Sequence, residues 1–127
     1  MLVVEDHPVN RLLLVTSLTG CGHTVSTAEN GQIALDCTDV QLFDLIVMDV
    51  NMPVLDGLAA TRRIRDGAGP NSDTPIVMLS ASIRAEDQQV GLAAGADIYT
   101  AKPVDFAGFV VIVARAAHGR EALKQAA

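Results

Sequence analysis

Short apolar runs alternate along this chain with longer segments in which apolar residues recur at helical spacing. The run at residues 45–48 contains β-branched residues and does not alternate with polar ones, which is typical of a strand buried on both faces. It ends at Asp49, and Pro53 and the pair Asp56-Gly57 then mark a loop. We therefore expect Asp49 at the carboxyl end of a central strand, the edge at which open α/β sheets bind ligands.

Five such runs predict five strands, and the segments that follow them predict helices. The strands are expected at residues 2–4, 23–28, 45–48, 75–79 and 97–100. The helices are expected at about residues 8–20, 31–38, 57–66, 86–94 and 106–117. This alternation indicates an α/β fold with a parallel sheet and helices on both faces. We expect a single domain over residues 1–127, with a core of about 2–117 and residues 118–127 as a helix end or tail.

The apolar positions within three helices suggest which residues are buried. Those with helical spacing in the first helix are Leu12, Leu13, Val15 and Leu18. Those expected to face the core in the second helix are Ile33, Ala34 and Cys37. The last helix has more bulky apolar residues than one buried stripe needs: Phe106, Phe109, Val110, Val111, Ile112 and Val113. Some of them are expected to form a partner or homodimer contact, and burial beneath an adjoining helix is the alternative of equal weight.

Composition narrows the class of protein further. Half of the 127 residues are hydrophobic but only 3% are aromatic, so aliphatic side chains must fill the core. The net charge of −6 argues against direct binding of nucleic acid or of an anionic membrane surface by this domain. No apolar run is long enough to span a bilayer. Cys21 and Cys37 lack metal-type or redox-type spacing, and we interpret them as reduced residues of a cytoplasmic protein, whose parent chain could still carry a membrane anchor.

Polar residues follow four of the five predicted strands. They are Glu5, Asp6, Asp49, Ser80 and Lys102. Because the carboxyl ends of parallel strands share one edge, three acids, a hydroxyl and an amine are expected there together. Packed carboxylates repel one another unless a cation neutralises them, and a set of oxygen ligands without His or Cys favours a hard divalent ion. Mg²⁺ fits well, since it accepts one or two carboxylates together with water and phosphate oxygens.

The amine and the hydroxyl extend this interpretation from a metal site to a phosphoryl site. The ammonium of Lys102 and the hydroxyl of Ser80 are suited to phosphate oxygens. Asp49 is the expected acceptor, because an ionised carboxylate can attack phosphorus without a general base. This requires Asp49 to be accessible from solvent. Taken singly, each residue could be an ordinary solvated loop residue, and the argument depends on their convergence.

Several motifs, in this order, resemble the receiver domain of two-component signalling proteins over nearly the whole chain. They are Val3-Val4-Glu5-Asp6, the segment from Asp44 to Asp49 with Met52-Pro53 and Asp56-Gly57, Leu79-Ser80-Ala81, Gly95-Ala96 and Lys102-Pro103. The resemblance implies a flavodoxin-like, doubly wound five-stranded parallel sheet with strand order 2-1-3-4-5.

The resemblance also implies a role for each site residue. Asp49 would be phosphorylated from a phosphohistidine on a histidine kinase or a phosphotransfer protein. The Mg²⁺ ligands would be Asp6, Asp49 and the backbone carbonyl of Asn51, with Glu5 acting mainly through a water. Ser80 and Tyr99 would form a switch that alters the face made by the fourth helix, the fifth strand and the last helix.

The opening stretch at residues 5–11 resembles the receiver modules of hybrid sensor histidine kinases. Since the first strand also begins almost at residue 1, we expect the C-terminal module of a longer chain. A stand-alone single-domain response regulator is the alternative.

Two competing functions are disfavoured. A phosphatase with an aspartyl nucleophile usually carries a second acid two residues later, where this chain has Asn51. A binding module that is never phosphorylated would lack a key residue, and none is missing. We therefore expect a domain that assists its own phosphorylation and dephosphorylation and is not a small-molecule enzyme by itself.

Overall fold

A computed structural model of the protein describes residues 1–50, 55–67, 69–81, 84–102, 106–116 and 119. The strands are β1 (Leu2–Val4), β2 (Ser26–Ala28), β3 (Ile46–Asp49), β4 (Ile76–Ser80) and β5 (Ile98–Ala101). The helices are α1 (Pro8–Gly20), α2 (Gly31–Val40), α3 (Gly57–Asp66), α4 (Ala85–Ala94) and α5 (Phe106–Ala116). None of the helices in these described ranges has both the length and the apolar character needed to cross a bilayer.

The strands form one parallel sheet in the order β2-β1-β3-β4-β5. This confirms the predicted α/β class and strand order. The element boundaries differ from the predicted ones by a few residues, mainly at β2, which begins at Ser26 and not at His23. The continuation of the last helix beyond residue 116 and the predicted tail at 118–127 lie, apart from Gly119, outside the described residues.

The hydrophobic core lies in two layers, one on each face of the sheet. Along the segment from Leu45 to Met48, side chains alternate between the layers, so that Ile46 belongs to the layer that includes residues of α2, α3 and α4, while Val47 belongs to the layer that includes residues of α1 and α5. All four residues of this segment are at most 1% exposed. The continuous apolar run is therefore explained by a central strand covered on both faces.

Two predicted helix faces need correction. In α1 the buried residues are Leu14 and Leu18, four positions apart, whereas Leu12 and Leu13 are 64% and 52% exposed. In α2, Ala34 is buried as expected, but Ile33 is 38% exposed. Where several apolar residues adjoin, only one stripe can face the sheet, and the direction in which the helix leaves its strand selects that stripe.

The backbone of Asp49 is held by the start of α3. Asp56 caps this helix, since its carboxylate accepts a hydrogen bond from Ala59 N at 2.8 Å. Gly57 N then donates to Val50 O at 3.0 Å. A Cβ atom on Gly57 would collide with the carbonyl oxygen of Asp49, so only glycine lets the helix approach the strand end this closely.

A buried ion pair positions β5 and hence Lys102. Arg65 of α3 lies 2.9 Å from the Asp97 carboxylate, whose Oδ2 also accepts a hydrogen bond from Ile76 N at 3.0 Å. The guanidinium also donates to the carbonyl oxygens of Gly95, Ser72 and Thr74. Asp97, predicted to begin the fifth strand, thus precedes it and anchors it to β4. At the other end of β5, Lys102 N donates to Ser80 O at 2.8 Å.

We predict that Gly57→Ala destabilises the protein by about 1–3 kcal/mol. The added methyl group would meet the backbone carbonyl of Asp49, which cannot move aside as a flexible side chain could. Urea unfolding monitored by circular dichroism measures the change. Gly20→Ala is the matched control, since a Cβ there meets nothing within 4 Å and should leave stability unchanged or raise it. Equal unfolding midpoints for Gly57→Ala and the parent would contradict the close approach.

Candidate functional site

The carboxyl ends of four strands meet at one edge of the sheet and carry all five polar residues singled out from the sequence. Glu5 follows β1 and Asp6 comes next, Asp49 ends β3, Ser80 ends β4 and Lys102 follows β5. Glu5, Asp49 and Ser80 are at most 2% exposed, whereas Asp6 is exposed. The parallel topology therefore concentrates the polar groups of distant sequence segments in one place.

Lys102 joins two of the acids. Its Nζ lies 2.9 Å from Asp49 Oδ1 and 3.2 Å from Glu5 Oε2, with Glu5 Oε1 at 3.4 Å. The lysine side chain is 25% exposed, while the two carboxylates are almost fully buried. One ammonium group thus lies between two buried carboxylates that come from different strands.

Three carboxylates are close enough to share a cation. Glu5, Asp6 and Asp49 each offer one oxygen atom, and these oxygens lie within 4.8 Å of one another. A donor set made only of carboxylate oxygens suits a hard cation such as Mg²⁺, so the residues present fit the predicted ion. Asn51, the fourth predicted ligand, lies outside the described residues.

The charges of the site are unevenly balanced. Burial raises the pKa of Asp49, the neighbouring Glu5 carboxylate raises it further, and Lys102 partly opposes both. Burial alone would lower the pKa of Lys102, but the carboxylates of Asp49 and Glu5 outweigh that effect and raise it. The lysine therefore stays charged at neutral pH, and the three acids still exceed the single ammonium by two charges when all are ionised.

Asp49 is not accessible in the way the sequence argument requires. Only 1% of the residue is exposed, and its Oδ1 is occupied by the Lys102 ammonium. The expectation of an open carboxylate is therefore wrong for this conformation. Asp49 is the last residue of a central strand that is covered on both faces, and the Lys102 ammonium lies against its carboxylate.

The two predicted switch residues lie on neighbouring strands. Ser80 is buried at the end of β4, one residue beyond Leu79, which pairs with Asp49 in the sheet. Tyr99 of β5 is half-buried and packs at the margin of one core layer. A Cβ on Gly91 of α4 would lie 2.5 Å from the Tyr99 ring, so this glycine makes room for the tyrosine. The switching role of both residues stays a prediction.

Sequence reasoning missed two residues around this site. The Asn10 amide Nδ2 donates to Glu5 Oε1 at 3.2 Å, and Gly91 lies against Tyr99. Asn10 belongs to the opening stretch at residues 5–11, whose resemblance does not indicate this contact. Its position in the first turn of a helix that directly follows an acid-bearing strand end is the signal that could have indicated a contact with that acid.

Comparison with known proteins agrees with the site. The family model of the response regulator receiver domain matches residues 1–114. The chain is 39% identical over 104 residues to the Escherichia coli K12 sensor protein EvgS, covering 82% of this chain but only 8% of EvgS. It is 40% identical over 119 residues to the two-component response regulator ORR41 of Oryza sativa subsp. japonica, covering 91% of each.

Solved structures give the same result. The receiver domain of the sensor histidine kinase PA1611 from Pseudomonas aeruginosa, solved with a magnesium ion coordinated in its active site cleft, superposes with a TM-score of 0.86 at 36% identity and covers 93% of this chain and 96% of that one. Vibrio cholerae chemotaxis protein CheY4 superposes with a TM-score of 0.84 at 32% identity, covering 91% of this chain and 95% of that one. The five-stranded topology, the acid and lysine cluster and a family match over nearly the entire length all agree, and the chain belongs to the receiver domain family of two-component signalling proteins.

Proposed function

We propose that Asp49 is the phosphoryl acceptor of this receiver domain and that the donor is a phosphohistidine of a histidine kinase or a phosphotransfer protein. One observation carries the proposal: the Asp49 carboxylate lies 2.9 Å from a lysine ammonium, within a group of three acids whose oxygens approach to 4.8 Å. An acid next to one lysine is a common ion pair. An acid that shares its lysine with a second buried acid, and also adjoins a third, is better explained by phosphoryl chemistry.

The proposed reaction needs no proton transfer to start. An oxygen of the ionised Asp49 carboxylate attacks phosphorus and forms a P–O bond. The P–N bond to the histidine breaks, and its electron pair stays on the imidazole nitrogen. In such a loose, in-line transfer, catalysis consists mainly of positioning and charge stabilisation. Lys102 is suited to this task, because it already contacts Asp49 Oδ1 and can pass to a phosphoryl oxygen over a short distance.

The acidic residues are suited to hold the divalent ion that this chemistry requires. Asp6 and Asp49 would bind Mg²⁺ directly, Glu5 through a water, and Asn51 through its backbone carbonyl. When bound, Mg²⁺ offsets the negative charge on the phosphoryl oxygens and helps to orient them. The ion in the cleft of the PA1611 receiver domain supports this assignment. By neutralising part of the charge on the acids, the ion would also weaken the ion pair between Asp49 and Lys102 and so make the acceptor oxygen more accessible.

The output would be a change in a protein-binding surface. Ser80 would turn its hydroxyl toward the phosphoryl group, and Tyr99 would move further inward beneath α4. Both residues lie on β4 and β5, next to the surface formed by α4, β5 and α5. The effect is a population shift limited by what the phosphoryl group contributes, and couplings of this kind are typically about 1–3 kcal/mol.

We also propose that this domain is the receiver module of a hybrid histidine kinase, acting in the cytoplasm. The opening motif and the similarity to EvgS support this, although the chain spans only 8% of EvgS. The similarity to ORR41 over 91% of both chains keeps a stand-alone regulator as the alternative. The parent gene distinguishes the two, since a kinase core upstream of residue 1 would favour the first.

We predict that an acyl-phosphate donor adds one phosphoryl group to the protein in the presence of Mg²⁺, as measured by intact-mass spectrometry. Asp49→Asn should abolish the gain in mass, since an amide cannot act as the nucleophile, and a chelator should abolish it in the parent. Asp44→Asn is the control, because Asp44 is an exposed acid near the opposite end of the same strand. An equal gain in mass on Asp49→Asn would contradict the assignment.

The exposed face of α5 supports a proposal of self-association. Ala107, Val110, Val111 and Ala114 are exposed and recur at helical spacing, while Phe109 and Val113 on the other side are buried. Val110 is 42% and Val111 53% exposed. We therefore propose that two phosphorylated copies associate through this apolar stripe.

Light scattering after size-exclusion chromatography tests the association. We predict that phosphorylation doubles the molar mass and that Val111→Glu prevents the doubling, because dimer formation would bury the new charge. Val40→Glu should behave as the parent, since Val40 is 84% exposed at the end of α2 and away from the stripe. A monomer in all phosphorylated samples would exclude the homodimer and leave the stripe to a different partner.

A further inference from the structure

The first turn of α1 contacts Glu5, which lies in the loop between β1 and this helix. Asn10 Nδ2 donates to Glu5 Oε1 at 3.2 Å, and Arg11 donates from its guanidinium to the Glu5 carbonyl oxygen at 3.0 Å. Glu5 N in turn donates to Ala28 O at 3.0 Å. The main chain of Glu5 is therefore fixed from β2 and from α1, and its carboxylate is held by Asn10 on one side and Lys102 on the other.

The two donors to the Glu5 carboxylate are not equivalent. Lys102 Nζ is shared, and its contact with Asp49 at 2.9 Å is shorter than its contacts with Glu5 at 3.2 and 3.4 Å. Asn10 contacts Glu5 alone among the acids of the site. If Lys102 moves to a phosphoryl oxygen, as proposed above, only the Asn10 amide of these two donors stays in contact with the Glu5 carboxylate. A carboxylate that is 1% exposed is costly to leave without a donor.

The chemistry of an amide suits this position. Asn10 donates a hydrogen bond without adding positive charge, so it orients the carboxylate and leaves the cation-attracting charge of the site unchanged. A lysine or arginine there would neutralise part of that charge and compete for the metal position. Groups that hydrogen-bond to a direct metal ligand typically contribute about 10–100-fold to metal affinity. Since Glu5 is proposed to act through a water, Asn10 lies one step further out, and the lower end of this range is expected.

We propose that Asn10 is a positioning residue, which holds the Glu5 carboxylate in the orientation that supports the divalent cation while Lys102 moves between Asp49 and the phosphoryl group. The inference rests on the proposed function of this site. It gives the opening motif a physical role, which is to keep Glu5, the acid that follows β1, in place when Lys102 moves away.

A Mg²⁺ titration followed by backbone amide NMR tests this directly. Asn10→Ala and Asn10→Leu remove the donor, the second with little loss of volume, and both should raise the Mg²⁺ dissociation constant about tenfold. Asn10→Gln restores an amide and should recover most of the affinity. The spectra recorded without Mg²⁺ show whether each variant is folded.

Two control variants make the result specific. Gln32→Ala removes another amide-to-carboxylate hydrogen bond, from Gln32 Nε2 to Asp36 Oδ1 at 3.3 Å on the exposed side of α2, and should leave Mg²⁺ affinity unchanged. Asp6→Asn removes a proposed metal ligand and should weaken binding more than the Asn10 variants do.

The possible outcomes separate the inference from the proposed function. If the folded Asn10→Leu and Asn10→Ala proteins bind Mg²⁺ as tightly as the parent, even with lower urea midpoints, Asn10 is only structural and the inference fails while the proposed function stands. Failure of Asn10→Gln to recover affinity would overturn the role of the amide. If the parent protein binds no Mg²⁺, both the inference and the metal-dependent function fail.

Discussion

The site depends on the ion pairs that the Lys102 ammonium forms with two carboxylates. The ammonium lies between two buried carboxylates, 2.9 Å from Asp49 and 3.2 Å from Glu5, and it reaches them only because β1, β3 and β5 end at the same edge of the sheet. Breaking a buried ion pair by removing one partner typically costs about 3–5 kcal/mol, since the remaining charge is left uncompensated. Arg65 and Asp97 anchor β5, and Gly57 lets α3 approach Asp49 closely, so these contacts position the lysine and the acid with which it pairs.

This arrangement makes the site electrostatically unsatisfied without a cation. Since the pKa of Asp49 is raised above its ordinary 3.8, the folded state binds that proton more tightly than the unfolded state does. The contribution of Asp49 to stability is thus greatest below 3.8 and is lost as the pH rises through the raised value. The raised pKa of Lys102 gives a contribution that is present below its ordinary 10.5 and lost only at higher pH. Burial and the Glu5 carboxylate thus disfavour the ionised form of Asp49, and a bound cation would favour it.

Much of this could be predicted from the sequence, because a parallel sheet of repeated strand–helix units brings every carboxyl end to one edge. The apolar run before Asp49, the acids after the first strand and the position of Lys102 after the fifth strand together predicted that these side chains meet. What could not be predicted depends on geometry that exists only after folding. The pairing of Lys102 with both Glu5 and Asp49 depends on the conformation that the lysine side chain adopts. The direction of α1 relative to the sheet determines that Leu12 and Leu13 are exposed. It also determines that Asn10 contacts Glu5.

The central claim, that one lysine partly compensates a carboxylate disfavoured by burial, is tested most directly by a carboxyl NMR titration of Asp49 without Mg²⁺. In the parent protein the titration midpoint of Asp49 should lie above the ordinary value of 3.8. In Lys102→Met it should rise further, because the ammonium that favours the ionised form is gone while burial and Glu5 remain. A midpoint that falls or stays the same in Lys102→Met would contradict the account.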